Sequence, residues 1–133
     1  AETGHLVFST LHTNSASQTI DRIIDSFPAS QQAQIRTQLA ATLVGIVSQR
    51  LVPRLNGGRI PACELMLTNS AIRNLIREDK IYQIDLVIET SVQERMISLN
   101  RSLANLVKQS EISLETAESY SLNPAELANL LAR

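Results

Sequence analysis

The apolar positions change their period along the chain, and each change marks an element. His5–Leu11 (HLVFSTL) is almost wholly apolar or β-branched, which predicts a strand buried on both faces, as in a parallel sheet. Thr13, Asn14 and Ser15 follow with helix N-cap chemistry, and Ile20, Ile23, Ile24 and Phe27 then recur at helical spacing until Pro28. Ser30 is read as the cap of a second helix running to about Val52, with Ile35, Leu39, Leu43, Ile46 and Val47 as its stripe and Pro53 as its stop. Asn56-Gly57-Gly58 is a turn signal, so Leu51–Leu55 and Arg59–Leu67 are expected to form a β-hairpin. From Thr68 onward the rhythm is helical. Thr68 is the expected cap for Ile72, Leu75 and Ile76, and Asp79 the cap for Ile81, Ile84 and Ile88. Ser91 and Glu94 have capping-box spacing ahead of Met96, Leu99, Leu103 and Leu106. Ser113 opens a short helix with Leu114 and Ala117, and Asn123-Pro124 starts a last one with Leu127, Leu130 and Leu131. The order predicts an α/β beginning and an all-α tail.

Composition narrows the class. The 133 residues are 44% hydrophobic but only 3% aromatic, so the core must be aliphatic. Twelve basic against thirteen acidic residues leave a net charge of -1, which argues against a general nucleic-acid binder. One cysteine, Cys63, excludes an internal disulfide and a cysteine zinc cluster, and it reads as a small buried apolar residue. No apolar run approaches the ~18 residues of a membrane span, and no signal-peptide pattern is visible. Direct membrane insertion is therefore not expected, the cytoplasm is the expected compartment, and any membrane link would run through a partner. A start at Ala1 rather than methionine suits an excised part of a longer chain.

The candidate chemistry is incomplete. A P-loop needs a glycine-rich turn leading to Gly-Lys-Ser/Thr, and none of Gly4, Gly45, Gly57 and Gly58 precedes a lysine. An apolar strand ending in Asp-Glu, which would hold magnesium and orient water, is missing too. Phosphoryl transfer depends on that positioning, so the chain alone is expected not to hydrolyse ATP. His5 and His12 bracket the first predicted strand at an odd spacing, which puts them on opposite faces and makes a shared metal ion unexpected. Taken alone, each is read either as a hydrogen-bonded structural histidine or as a site residue. Arg73 and Arg77 lie four apart on one helix face with Lys80 beyond. They are read either as a solvated basic edge or, since like charges at that spacing repel, as residues placed for a purpose.

Longer motifs favour one side of each choice. TGHLVFSTLHTN at Thr3–Asn14 resembles the histidine box of secretion and pilus ATPases, a strand beside the phosphate site that senses nucleotide state. AIRNLIREDK at Ala71–Lys80 resembles the signature of the type IV pilus retraction (twitching-motility) ATPases, and the tail SLNRSLANLVKQSEISLETAES continues the likeness. Secretion and pilus-extension members usually insert a four-cysteine zinc loop after the QRL helix, whereas QRLVPRLNGGRIP runs straight into the hairpin here. The departure is Thr90–Arg95 (TSVQER), where retraction ATPases often carry a glycine-bearing turn.

The resemblance implies the C-terminal part of a RecA-like P-loop ATPase domain, residues 1–67, followed by a helical subdomain, residues 68–133. It implies a homohexameric motor using ATP and Mg2+ in the parent, at the cytoplasmic face of an inner-membrane pilus machine. It makes His5 and His12 nucleotide-sensing candidates, with Thr10 and Thr13 as weaker nucleotide contacts, and Arg73, Asn74, Arg77 and Glu78 coupling candidates. A secretion or pilus-extension ATPase, and a non-catalytic interaction module, are the alternatives.

Overall fold

The computed structural model describes residues 1–132. After an extended N-terminal segment come α1 (Ala16–Asp25), α2 (Ala29–Thr42), β1 (Gly45–Pro53) and β2 (Arg59–Leu67). The all-helical remainder is α3 (Ser70–Arg77), α4 (Ile84–Thr90), α5 (Leu99–Lys108), α6 (Leu114–Tyr120) and α7 (Pro124–Leu131), with one-turn 3₁₀ helices at Ile81–Gln83 and Val92–Glu94.

The predicted strand at His5–Leu11 is not formed. Its residues are exposed as far as Thr10, Leu6 at 78% and Phe8 at 88%, because the described residues place no strand beside them to complete a ladder. Ser15 caps α1 as expected, accepting from the Gln18 N–H.

The second helix starts at Ala29, ahead of the expected cap at Ser30, and ends about ten residues earlier than predicted. It stops at Thr42, and Gly45–Pro53 is a strand, longer than the predicted Leu51–Leu55. Leu43, Ile46 and Val47 keep helical spacing, but pairing overrides it: β1 and β2 run antiparallel from Gly45↔Leu67 to Pro53↔Arg59. Ile46, Ser48, Arg50 and Val52 then share the inner face of the hairpin with Met66, Glu64, Ala62 and Ile60. Gly45 belongs at that start, since a Cβ there would lie 2.8 Å from the Met66 carbonyl oxygen. Gly57 and Gly58 turn the hairpin at φ of +88° and +74°.

Several caps are reassigned. Asn69, not Thr68, caps α3 by accepting from the Ile72 N–H. Asp79 ends α3 rather than starting the next helix: it sits at φ +59°, and the N–H groups of Asp79 and Lys80 bond Ile76 and Leu75, a Schellman closure. Ser91 and Glu94 form no capping box. Arg95 turns left-handed at φ +67°, which breaks the helix and gives this stretch the backbone conformation that glycine favours. Ser98 is the true cap of α5, and Met96 lies ahead of that helix. Ser113 and Asn123 cap α6 and α7 as predicted.

Two aliphatic clusters hold these pieces. Ile20, Ile24, Ile72, Ile76, Ile84 and Ile88 pack around Met66 and Met96, so α1–α4 close over one end of the hairpin. Leu103, Ile112, Ala117, Leu127 and Leu130 pack on Val52 and Ala62, so α5–α7 close over the other. Burying each large aliphatic side chain contributes about 1.5–3 kcal/mol. An exposed ion pair contributes about 0–1 kcal/mol, so the clusters hold the elements and the ion pairs refine the geometry.

Candidate functional site

The histidine segment enters α1 through a hydrogen-bonded turn. Thr13 Oγ1 lies 2.6 Å from Thr19 Oγ1, and Thr19 Oγ1 donates to the Ser15 carbonyl at 2.8 Å. This fixes Thr13 against the first turn of α1 while His12 stays exposed. His5 lies further out, its Nδ1 2.9 Å from Thr3 Oγ1, and Thr10 is exposed between the two histidines. The residues do not by themselves form a phosphate cradle. Both lysines are engaged elsewhere, Lys80 with Glu78 at 2.8 Å and Lys108 with the Leu130 carbonyl at 2.9 Å. No step of phosphoryl transfer is therefore assigned to them.

The AIRNLIRE helix is α3, and its polar residues divide between two faces. Arg73 is half-buried and donates through Nη1 to the carbonyls of Ala40 and Ala41, the latter at 3.2 Å. Those carbonyls lie in the last turn of α2, where carbonyl groups lack helical partners and carry the negative end of the dipole. Arg36 of α2 returns the contact, its Nε 3.1 Å from Asp79 Oδ1 just beyond the end of α3. Each helix thus lends an arginine to the other's C-terminal end. Arg73 is not on a solvated edge. The outward face holds Asn74 and Arg77, joined by Nη2 to Oδ1, and Glu78, whose carboxyl is lowered by its hydrogen bond and charge pairing with Lys80.

The sequence reading missed the polar inner face of the hairpin. Glu64, 8% exposed on β2, accepts from the Ala16 N–H at 2.8 Å across 48 residues. Burial raises its carboxyl above the ordinary range, with a smaller push from Asp85, and the Ala16 and Leu99 N–H groups and Arg50 oppose the rise. Arg50 Nη2 reaches the Asn14 carbonyl at 3.4 Å. The signal was present at period two: Ser48, Arg50 and Glu64 interrupt strand faces that are otherwise apolar. Asn100, 4% exposed, was missed as well. Its Nδ2 donates to the Asn123 carbonyl and to Glu126, and its Oδ1 accepts from Ser121, tying α5 to α7. Glu64, Asp85, Glu89 and Glu126 line an open cavity of about 450 Å³. Burial is also the main cause that raises the Glu126 carboxyl. Among the described residues no group of three or more His, Cys, Asp or Glu side chains is arranged to hold a metal ion, and no helix is long and apolar enough to cross a membrane.

The chain sets a histidine segment and the AIRNLIRE helix in a mixed α/β beginning with a helical tail, an arrangement that fits the type II/IV secretion system proteins. It matches the Type II/IV secretion system protein family over residues 1–119 and belongs to that family. It is 47% identical over 124 residues to the type IV pilus retraction ATPase PilT of Pseudomonas aeruginosa, covering 93% of this chain and 36% of that protein. It is 43% identical over 129 residues to the twitching motility protein of Neisseria gonorrhoeae, covering 96% and 34%. Its fold superposes on the crystal structure of the pilus retraction motor PilT with bound ADP at a TM-score of 0.84 and 50% identity, covering 97% of this chain and 36% of that one. The chain spans about a third of the length of these relatives.

Proposed function

We propose that this chain is part of a motor ATPase that retracts type IV pili and so drives twitching motility. The observation that carries the reading is the likeness to the retraction motor along nearly the whole chain, AIRNLIRE helix included. The hairpin favours it over an extension or secretion ATPase: β1 and β2 are joined directly through Arg54–Gly58, which leaves no four-cysteine loop. In this reading residues 1–67 belong to the RecA-like core and residues 68–133 form the helical subdomain. ATP and Mg2+ bind the full-length parent, a homohexamer on the cytoplasmic side of an inner-membrane pilus machine. His12, at the mouth of α1, faces the nucleotide side, with His5, Thr10 and Thr13 along the same segment. Asn74, Arg77 and Glu78, on the outward face of α3, meet the coupling partner, while Arg73 seats that helix on α2.

The test is ATP turnover and twitching measured on the same full-length variants. His12→Ala is expected to lower turnover. Arg77→Ala is expected to abolish retraction while most of the hydrolysis survives. Loss of hydrolysis in Arg77→Ala as complete as in His12→Ala, in a ring that remains assembled, would sink the division of roles.

A further inference from the structure

We infer that Thr19 is a positioning residue for the turn that carries His12: it draws the hydroxyl proton of Thr13 into the fold and so fixes the residue beside His12. Thr19 lies near the start of α1 and is 7% exposed. An unpaired hydroxyl is costly to bury, and a valine would fill the same space without one. The Thr19 hydroxyl has a single proton to give. That proton goes to the Ser15 carbonyl at 2.8 Å, because a carbonyl can only accept. Such a bond is how helices commonly absorb a threonine. The second contact is not needed for that. Thr13 Oγ1 lies 2.6 Å from Thr19 Oγ1. Since Thr19 has already given its proton to Ser15, Thr13 is the donor. Thr13 thus turns its own proton inward and keeps only lone pairs for the outside, so it cannot donate to a phosphate oxygen.

The neighbouring residues are held by the same end of α1. The Asn14 N–H donates to Gln18 Oε1 at 2.7 Å, and Ser15 Oγ accepts from the Gln18 N–H at 3.2 Å. Thr13, Asn14 and Ser15, which follow His12 directly, are therefore each bonded to a residue of α1. Gln18 is exposed and Thr19 is buried. Water competes for the bonds of Gln18, whereas a hydrogen bond in the low-dielectric interior is stronger and costly to leave unmade. The bond through Thr19 is thus the firmest hold on the chain next to His12. The tie is a property of the fold; only its effect on turnover rests on the nucleotide reading above.

The test uses two variants of the full-length protein that contains this chain: Thr19→Val, which removes the hydroxyl, and Thr19→Ser, which keeps it. Methyl NMR reads the Thr13 side-chain rotamer from its three-bond couplings. One rotamer is expected in the wild type and in Thr19→Ser, and averaging over several in Thr19→Val. Averaging already in the wild type, or one unchanged rotamer in Thr19→Val, overturns the tie. For turnover, Thr19→Val should lower kcat by roughly 2- to 10-fold, the worth of a hydrogen bond of ordinary net strength, and Thr19→Ser should restore it. On a Thr13→Val background, Thr19→Val should cause no further fall. A second fall of the same size would mean that Thr19 acts by another route and would refute the positioning role, as would an averaged rotamer with kcat unchanged. If Thr19→Val does not fold, Thr13→Val removes the same bond from its half-buried end. Its kcat should then fall by a similar factor and recover in Thr13→Ser, and an unchanged kcat overturns the inference. A wild-type protein without ATP turnover would refute the nucleotide reading and leave the rotamer to judge the tie.

Discussion

At the scale of single residues, the two arginines of the AIRNLIRE helix do different work although they sit one turn apart. Arg73 satisfies carbonyls that α2 cannot satisfy itself, from a half-buried position. Arg77 is exposed and bonds only a side chain of its own helix. Hydrogen bonds to charged groups contribute about 1.5–3 kcal/mol when buried, and partial exposure reduces that. Arg73→Ala should therefore lower stability by about 1–2 kcal/mol, while Arg77→Ala should stay within about 0.5 kcal/mol, as surface substitutions usually do. Urea unfolding of the two variants checks this, and equal midpoints would remove Arg73 from its place between α2 and α3.

At the scale of elements, the hairpin is the piece on which both cores are built. Its register brings Met66 to the first cluster and Val52 and Ala62 to the second. Leu65 and Ile97 also exchange both backbone bonds, at 2.9 and 3.1 Å, which fixes the chain just before α5 to the outer edge of β2. The register starts where two backbones approach at Gly45. Gly45→Ala should cost about 1–3 kcal/mol, the usual range for overpacking, because the atom in the way is a backbone oxygen that cannot rotate aside. An unchanged unfolding midpoint for Gly45→Ala would show that the register tolerates a shift at this end. The cut between α2 and β1 was hidden in the sequence because Leu39, Leu43, Ile46 and Val47 keep helical spacing straight across it. The local cues were Gly45 and the β-branched pair after it.

At the scale of the whole molecule, Leu6, Val7 and Phe8 are exposed on an extended segment with free backbone groups. Such a segment pairs readily with another chain. The 133-residue chain should self-associate with rising concentration, and Phe8→Lys should weaken the association. Light scattering that gives a monomer mass at every concentration would refute this.

Sequence alone determined what local chemistry decides. The helical tail was legible because Ser113 and Asn123-Pro124 act on the residues next to them, and the hairpin turn because glycines at 57 and 58 reach positive φ. The family was legible because its motifs are contiguous. Tertiary structure decided whatever depends on a distant partner. A strand needs a neighbour, so an apolar run at His5–Leu11 was not sufficient to make one. Asp79 and Ser91 had the composition of caps, but the chain's path placed Asp79 at the end of α3 and let Arg95 break the helix that Ser91 would have started. Arg73 looked like a surface charge until α2 delivered Ala40 and Ala41 to it. Nothing in its own segment marked a partner for Glu64 until the start of α1 met its carboxylate, because the pattern of one segment carries no information about which N–H groups the fold leaves unsatisfied elsewhere.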